Sequence, residues 1–259
     1  DIYACYKNVR EQTGVAIRYV MKNLQEKKYL KCDFHLHTND DLVDRIRQTV
    51  FDVINMASEQ SFDVLSITNH STITFSDEIN DYAKEKNILL IKGIELYVER
   101  KHVVILNCSE DILKVKTISD LKAYKNNNSQ SFIFAPHPYY PKKSCLGKIV
   151  EENIDLFDGL EYCHFYISFI NHFNEKAERI AKKFSKPLIA NSDSHSPIQF
   201  GRSYSLVKAE KNVESVIENM KLGNIKIVTQ PLPIFRMLKI LIKVLRKRSE
   251  DELLKHSFK

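Results

Sequence analysis

The sequence predicts an α/β fold in which parallel strands alternate with helices and close into a barrel. Short apolar runs of strand length alternate along the chain with segments of helical periodicity. His, Asp and Glu residues recur at the carboxyl ends of these runs, beginning with Asp33-Phe34-His35-Leu36-His37. In a barrel those strand ends meet at one mouth, whereas an open sheet would spread them along a line. Their repetition therefore favours a barrel.

Strands and helices are predicted in regular order, and this alternation implies parallel strands joined by right-handed crossovers. The strands fall at 30–35, 64–68, 88–94, 103–106, 131–135, 158–162 and 188–190, with a further one at 204–207. The intervening helices fall at 42–60, 77–86, 118–125 and 171–184, and flanking helices at 3–28 and 233–255. Three regions are expected: an N-terminal helical extension at 1–30, the main domain at 31–230, and a basic amphipathic C-terminal helix at 231–259.

Composition sets the broad class of protein. The chain has 259 residues, 43% hydrophobic and 28% charged, with a net charge of +6 and a pI near 8.9. These values are ordinary for a globular protein and mildly favour anionic partners. The five cysteines form no C-x-x-C pair, which favours reduced thiols and hence a cytoplasmic location. Neither a transmembrane segment nor a signal peptide is visible in the sequence.

Eight polar residues that can bind metal lie at or beside the predicted strand ends. They are His35, His37, His70, Glu95, His102, His137, Asp193 and His195. Six of the nine histidines of the chain are in this set, which is more than scattered surface histidines would give. Imidazole and carboxylate donors without cysteine favour Mn, Zn or Fe. The set exceeds the coordination shell of one ion, so two or three divalent ions are expected, with a carboxylate such as Glu95 bridging them.

The motifs that carry these residues resemble those of the PHP (polymerase and histidinol phosphatase) superfamily in order and spacing. They are Asp33-Phe34-His35-Leu36-His37-Thr38, Thr68-Asn69-His70, Gly93-Ile94-Glu95, the later His102, Pro136-His137-Pro138 and Ser192-Asp193-Ser194-His195. The resemblance covers roughly residues 31–230. It implies a distorted (β/α)7 barrel with added N-terminal and C-terminal helices, and a trinuclear metal site that hydrolyses phosphoesters. Two further segments resemble those of stand-alone members that have a PHP-associated C-terminal region: Gly159-Leu160-Glu161-Tyr162 and Gly201-Arg202.

The resemblance also implies a distribution of ligands. His35, His37, Glu95 and Asp193 would hold a first ion, and Glu95, His102 and His137 a second. His70 and His195 would hold a third ion, together with an acidic residue of the loop after His37. His70, Glu95 and His195 are the expected catalytic residues.

Two positions depart from the family pattern, and both concern the third ion. The acidic or histidine ligand expected five residues after the second histidine is replaced by Leu42. Asp41 or Asp40 is the alternative, and Asp41 is preferred. Asn69 stands where the family usually has aspartate. Asparagine can orient a neighbour by hydrogen bonding, but it cannot act as a base.

The expected function is that of a hydrolase acting on phosphoric ester bonds of nucleotides or nucleic-acid ends, as a 5′-3′ exonuclease or a 3′,5′-nucleotide bisphosphate phosphatase. The alternatives are a histidinol-phosphatase-like enzyme of small molecules, a weakly catalytic scaffold that binds a partner, and a hydrolase of C–N bonds. Arg202 is a candidate for substrate phosphate and Tyr139 for a base. The C-terminal helix is expected to pack on the barrel; contact with nucleic acid, a membrane surface, a protein partner or a second copy are alternatives.

Overall fold

The computed structural model describes residues 29–233, which form a mixed α/β fold. The strands are β1 (Tyr29–Leu36), β2 (Val64–Ile67), β3 (Leu89–Leu90), β4 (Gly93–Val98), β5 (Lys101–Leu106), β6 (Phe132–Ala135), β7 (Gly159–Tyr162), β8 (Leu188–Ala190), β9 (Tyr204–Lys208) and β10 (Ile225–Val228). The helices are α1 (Val50–Glu59), α2 (Asp77–Glu85), α3 (Ile118–Asn127), α4 (Ile149–Glu152), α5 (His172–Lys183) and α6 (Val213–Lys221). The helices predicted at 3–28 and 233–255 lie outside the described residues, Pro233 apart.

The strands form two five-stranded sheets, with orders β10-β9-β1-β2-β3 and β4-β5-β6-β7-β8. Parallel pairs occur within both sheets, but β9 is antiparallel to β1 and to β10, and β5 is antiparallel to β4 and β6. The expectation of parallel strands throughout was therefore wrong. Between the sheets, the isolated bridges Leu36–Ser194 and His70–Glu95 join the carboxyl ends of the strands. Among the described residues we find this pair of mixed sheets and no closed barrel of seven parallel strands.

The β4–β5 hairpin is the main departure from the predicted order. Its two-residue turn consists of Glu99 and Arg100, with φ of 49° and 65°. Two consecutive residues with positive φ are typical of a tight hairpin turn, but Gly or Asn usually occupies those positions. The predicted strand at 88–94 is accordingly divided into β3 and β4. As a result, His102 lies opposite Tyr97 in the ladder and is buried.

The apolar core is divided into layers by the two sheets. One cluster lies between them and includes Phe34 of β1, Val104 of β5 and Phe134 of β6. A second cluster packs α1 and α2 on the first sheet, and a third packs α3 and α5 on the second sheet. Helix α6 follows β9, which is antiparallel to β1, so it lies at the end of the molecule opposite the strand-end histidines. There Val216, Ile217 and Met220 of α6 join the core cluster between the sheets.

Helix α1 begins later than the sequence pattern predicts. Thr49 caps it: the Thr49 hydroxyl accepts from the Asp52 N–H at 3.1 Å, and Asp52 Oδ2 accepts from the Thr49 N–H at 2.8 Å. Upstream, Asp41 Oδ1 accepts from the N–H groups of Val43 and Asp44, each at 2.8 Å. These side-chain bonds offer the backbone an alternative to a helix. Residues 42–49 therefore form a loop beside the strand ends, and the predicted helix over 42–60 is shorter than expected.

Gly93 allows the two sheets to approach each other at the start of β4. A Cβ atom at this position would collide with Ser66 Oγ of β2. Glycine is therefore required for β4 to run close enough to β2 for the His70–Glu95 bridge to form. Within the part of the chain that the structure describes, no helix has the length and apolar character needed to cross a membrane.

Candidate metal centre

The structure brings together all eight residues predicted from the strand ends. His35 and His37 come from the end of β1, His70 follows β2, and Glu95 lies on β4. His102 lies on β5, His137 follows β6, and Asp193 and His195 follow β8. Four of these strands, β1, β2, β6 and β8, belong to parallel pairs, and their carboxyl ends meet on one side of the sheets. Residues distant in sequence therefore come together there.

Glu95 is the hub of the cluster, with only 1% of its side chain exposed. Its Oε2 lies 3.3 Å from His35 Nε2, 3.4 Å from His37 Nε2 and 2.9 Å from His70 Nε2. Its Oε1 lies 2.6 Å from His102 Nδ1 and 3.6 Å from His137 Nε2. One carboxylate thus faces five imidazoles, the arrangement that a bridging ligand requires.

Asp193 faces Glu95 across the same imidazoles. Its Oδ1 lies 3.5 Å from His35 Nε2, 3.3 Å from His37 Nε2 and 3.5 Å from His195 Nδ1. Its Oδ2 lies 4.0 Å from His137 Nε2 and 3.9 Å from His164 Nδ1. His164 matched no motif, yet the structure places it beside this carboxylate.

The backbone is strained at two of these residues. His137 has a φ of 31° and Asp193 a φ of 44°, both in the left-handed region that disfavours side chains. Such conformations cost about 1–3 kcal/mol each and persist where the surrounding structure enforces them, often at functional sites. The fold therefore holds both side chains in place against a local cost.

The charges of the cluster reinforce one another. Burial would raise the pKa of Glu95, but the His35 and His102 imidazoles hold it well below its ordinary value. Burial opposes the charged form of His70 and His137 as well. Hydrogen bonds to Asp41 and Glu95 nevertheless raise the pKa of His70 to about 9, and Cys145 and Glu95 raise that of His137 to about 10. The buried carboxylates are thus stabilised by the positive charge of neighbouring imidazoles, and a bound cation can supply that positive charge instead.

The donor set fits divalent metal ions. Three overlapping groups have one donor atom from each member within 4.8 Å of the others: His35, His37 and Asp193; His35, Glu95 and His137; and His37, His70 and Glu95. Among residues 29–233, the buried Nε2 atoms of His35, His37 and His102 find no hydrogen-bond partner. A buried nitrogen lone pair left without a partner is costly, and coordination to a metal would satisfy it.

Glu161 orients two of these histidines and was not predicted as a site residue. Its Oε1 lies 3.1 Å from His35 Nδ1 and accepts from Asn191 Nδ2 at 2.8 Å, and its Oε2 accepts from the His137 N–H at 2.8 Å. Metal-binding histidines commonly use their second ring nitrogen in this way. Glu161 lies on β7 close to its carboxyl end, so the signal that identified Glu95 was also present here.

Comparison with known proteins gives one match in sequence family and several in fold. Residues 171–225 match the PHP-associated family. An uncharacterized protein of Methanocaldococcus jannaschii is 27% identical over 149 residues, covering 53% of this chain and 83% of that protein.

Two solved structures resemble the chain in fold. One is a two-domain protein of Bacteroides vulgatus described as containing a PHP-like metal-dependent phosphoesterase. It has a TM-score of 0.62 and 20% identity over 80% of this chain, which spans 66% of that protein. The other is the lesion-specific endonuclease PfuEndoQ of Pyrococcus furiosus, with a TM-score of 0.55 and 15% identity over 77% of this chain and 57% of the endonuclease. At such identities the structural likeness concerns the fold alone.

The PHP-associated match covers the part of the chain that includes Asp193 and His195, and the remaining motifs lie on a fold shared with PHP-like proteins. The chain is therefore similar to the PHP superfamily over this segment and in its fold, and the cluster of eight strand-end residues is called the PHP centre below. Its two departures from the PHP pattern can now be located. Asn69 Nδ2 donates to Thr38 Oγ1 and to Thr74 Oγ1, both at 2.7 Å, while its Oδ1 accepts from the Thr38 N–H. An aspartate could not donate these bonds, so Asn69 has a structural role of its own.

Asp41, predicted as a ligand of the third ion, lies beside the PHP centre and contacts histidines through their Nδ1 atoms. Its Oδ2 is 2.9 Å from His37 Nδ1 and 2.9 Å from His70 Nδ1. Asp44, which was not predicted, lies 3.1 Å from His195 Nε2 through its Oδ2. The acidic loop thus supplies two carboxylates to the PHP centre.

The two predicted substrate residues, Tyr139 and Arg202, are not among those that line the cavity beside Asp193. The Tyr139 hydroxyl donates to Glu151 Oε1 at 3.3 Å, and Arg202 Nη2 donates to the Pro231 carbonyl at 3.0 Å. A cavity of about 200 Å³ opens instead beside Asp193. It is lined by His137, Tyr140, Lys142, Cys163, His164, Phe165, Asp193, His195 and Gln199. Neighbouring Tyr140, rather than Tyr139, is the tyrosine of this wall.

Proposed function

We propose that this protein is a metal-dependent phosphoesterase of the PHP type that acts on nucleotides or on nucleic-acid ends. The observation that carries the proposal is the convergence of two carboxylates, the buried Glu95 and the partly buried Asp193, on the same imidazole nitrogens at the ends of the strands. Such a set is suited to hold neighbouring divalent ions, and the similarity to the PHP superfamily implies the same chemistry. Two or three ions, of Mn, Zn or Fe, are proposed.

The ligands would be those implied by the family. His35, His37, Glu95 and Asp193 would hold one ion, and Glu95, His102 and His137 a second, with His70 and His195 available to another. When bound, such ions polarise a phosphoryl oxygen and stabilise the attacking and leaving oxygens of an in-line displacement. Within the chain, Glu161 keeps His35 in one orientation. His195 is the catalytic candidate nearest to solvent, with 32% of its side chain exposed, and in an unligated state it could exchange a proton with a substrate.

The cavity supports a substrate that combines a phosphate with a flat ring. Lys142 provides a cation at its rim, while Tyr140 and Phe165 provide aromatic surface. Aromatic side chains stack on nucleobases without reading their sequence, and a lysine attracts phosphate as a point charge. The net charge of +6 favours the same class. PfuEndoQ, similar in fold, is named as a nuclease, which supports a nucleic-acid substrate by analogy alone.

The test is hydrolysis in the presence of Mn(II) of three substrate classes: 3′,5′-bisphosphate nucleotides, 5′-phosphorylated RNA and DNA, and simple phosphate monoesters. We expect turnover of the first or second class and none by a His35→Ala/His37→Ala variant. Preference for histidinol phosphate or other small monoesters would instead favour the small-molecule phosphatase. Hydrolysis of amides without hydrolysis of phosphoesters, or metal uptake without any turnover, would contradict the proposal.

A reducing, cytoplasmic location is also proposed. Cys32, Cys108, Cys145 and Cys163 are buried free thiols, as expected where disulfides are not formed. The proposed role of the C-terminal helix, packing on the domain or binding a partner, concerns residues outside the described range.

A further inference from the structure

The acidic loop after His37 contains two carboxylates, Asp41 and Asp44, that differ in burial and in hydrogen-bond partners. This difference assigns a separate role to each. The Asp41 side chain is fully buried. Its Oδ2 receives the Nδ1 atoms of His37 and His70 at 2.9 Å and the His70 N–H at 2.8 Å. Its Oδ1 receives two further backbone N–H groups, those of Val43 and Asp44, at 2.8 Å. A carboxylate accepts about four hydrogen bonds, so Asp41 has no lone pair left for an ion.

Asp41 instead fixes the two histidines. When Nδ1 donates its proton to Asp41, the lone pair of each ring lies on Nε2. The Nε2 atoms of His37 and His70 are directed at Glu95 Oε2, 3.4 Å and 2.9 Å away. This is the carboxylate–histidine–metal arrangement in which an outer carboxylate orients the ligand.

Asp44 lies on the open side of the cluster, with 46% of its side chain exposed. Its Oδ2 is 3.1 Å from His195 Nε2 and 4.0 Å from His70 Nδ1. His195 Nδ1 lies 3.0 Å from the Asp193 carbonyl oxygen, which accepts its proton. In the metal-free protein the Nε2–Asp44 contact is a hydrogen bond, and a divalent ion bound between the two atoms would take the place of the shared proton.

The separation suits a shared metal ion. Two neighbouring ligands with bonds of about 2.0–2.1 Å lie about 3.0–3.4 Å apart, and the Asp44–His195 distance of 3.1 Å falls in this range. We infer that Asp44 and His195 bind an outer, solvent-facing divalent ion, and that Asp41 orients His37 and His70. The side chain that takes the usual acidic position, Leu42, is apolar and 74% exposed. The inference rests on the metal centre proposed above.

The test is titration of the metal-free full-length chain with Mn(II), followed by electron paramagnetic resonance of free Mn(II) and by metal analysis. We expect tightly bound ions and one weaker ion in the wild type. Asp44→Asn should weaken the weaker ion by about tenfold or more and leave the others unchanged, and His195→Gln should do the same. Asp41→Asn should weaken the tightly bound ions by about 10–100-fold. Asp81→Asn, a change at an exposed carboxylate of α2, is the control and should bind as the wild type.

If Asp44→Asn binds metal with the stoichiometry and affinity of the wild type, the inference is overturned, but the phosphoesterase proposal is unaffected. If Asp41→Asn loses only the weaker ion, the same conclusion follows. Failure of the wild type to take up Mn(II), Zn(II) or Fe(II) would overturn the metal centre itself. Circular dichroism of each variant shows whether it is folded, and agreement between Asp44→Asn and His195→Gln guards against misfolding of either one.

Discussion

The inner and outer sides of the PHP centre differ in how the fold holds their donors. On the inner side, His35 and Glu95 lie on strands, His37 directly follows β1, and all three are at most 1% exposed. On the outer side, Asp44 and His195 lie on loops and are 46% and 32% exposed. Donors fixed by strands and by outer hydrogen bonds lose little freedom on binding an ion, whereas loop donors must be ordered. For the proposed metal centre we therefore expect tight inner ions and a weaker, exchangeable outer ion.

The largest effect is expected from removal of the inner imidazoles. His35→Ala/His37→Ala deletes a donor from each of the three candidate groups and should abolish tight metal binding. Hydrolysis should fall by more than the roughly 10²–10³-fold typical for loss of one electrostatic group in an active site. Metal analysis and the phosphoesterase assay measure both effects. His172→Ala, at an exposed histidine of α5, is the control, and full activity of the double variant would refute the centre.

A smaller effect is expected from Glu161, which supports the inner donors without binding an ion itself. Glu161→Gln keeps the shape of the side chain but replaces one oxygen with a donor. It therefore loses an acceptor for either the His137 N–H or the Asn191 and His35 side chains. Affinity for the inner ions should fall by about 10–100-fold, measured by competition with a chelating dye. Glu175→Gln, at an exposed position of α5, should have no effect; equal affinities in both variants would contradict the role of Glu161.

Metal binding by the inner site should also depend on pH. In the metal-free protein the pKa of His70 is raised to about 9 and that of His137 to about 10. Both rings are therefore protonated at pH 7, and because a metal binds only neutral imidazole, uptake must release protons. Affinity should rise by about tenfold per pH unit for each proton released, up to pH 9–10. The raised pKa values also stabilise the metal-free fold. This stabilisation is complete below about pH 6.5, the pKa of histidine in the unfolded chain, and is lost as the pH rises through 9–10.

Titration calorimetry in buffers of different ionisation enthalpy counts the released protons. The pairing of carboxylates and imidazoles predicts a clear dependence of the measured heat on the buffer. An identical heat in all buffers at pH 7 would show that the rings are already neutral in the metal-free protein.

The inner side of the centre could be predicted from the sequence, because a strand repeats every two residues and places His35 and His37 on one face. The acids and histidines that follow other apolar runs could be found in the same way. On the outer side His195 was predicted but Asp44 was not, since the position of Asp44 depends on five hydrogen bonds that Asp41 makes to distant and local groups. The β4–β5 hairpin was also missed, because Glu99-Arg100 lacks the residues that usually form such turns.

The smallest effect is expected from removal of a helix cap. It separates the order of the loop before α1 from the stability of the whole fold. Thr49 caps α1 directly after this loop, and the neighbouring Gln48 Nε2 donates to the His37 carbonyl at 2.8 Å. Thr49→Ala should lower the free energy of unfolding by about 1 kcal/mol, measured by urea denaturation with an unchanged slope. Ser76→Ala removes the cap of α2, where Ser76 Oγ accepts from the Ile79 N–H at 3.2 Å, and should cost a similar amount.

If the loop positions Asp44, only Thr49→Ala will also weaken the outer Mn(II), whereas the inner ions will remain tight in both variants. Equal weakening of the outer ion by both variants would mean that its affinity follows global stability and not the order of this loop.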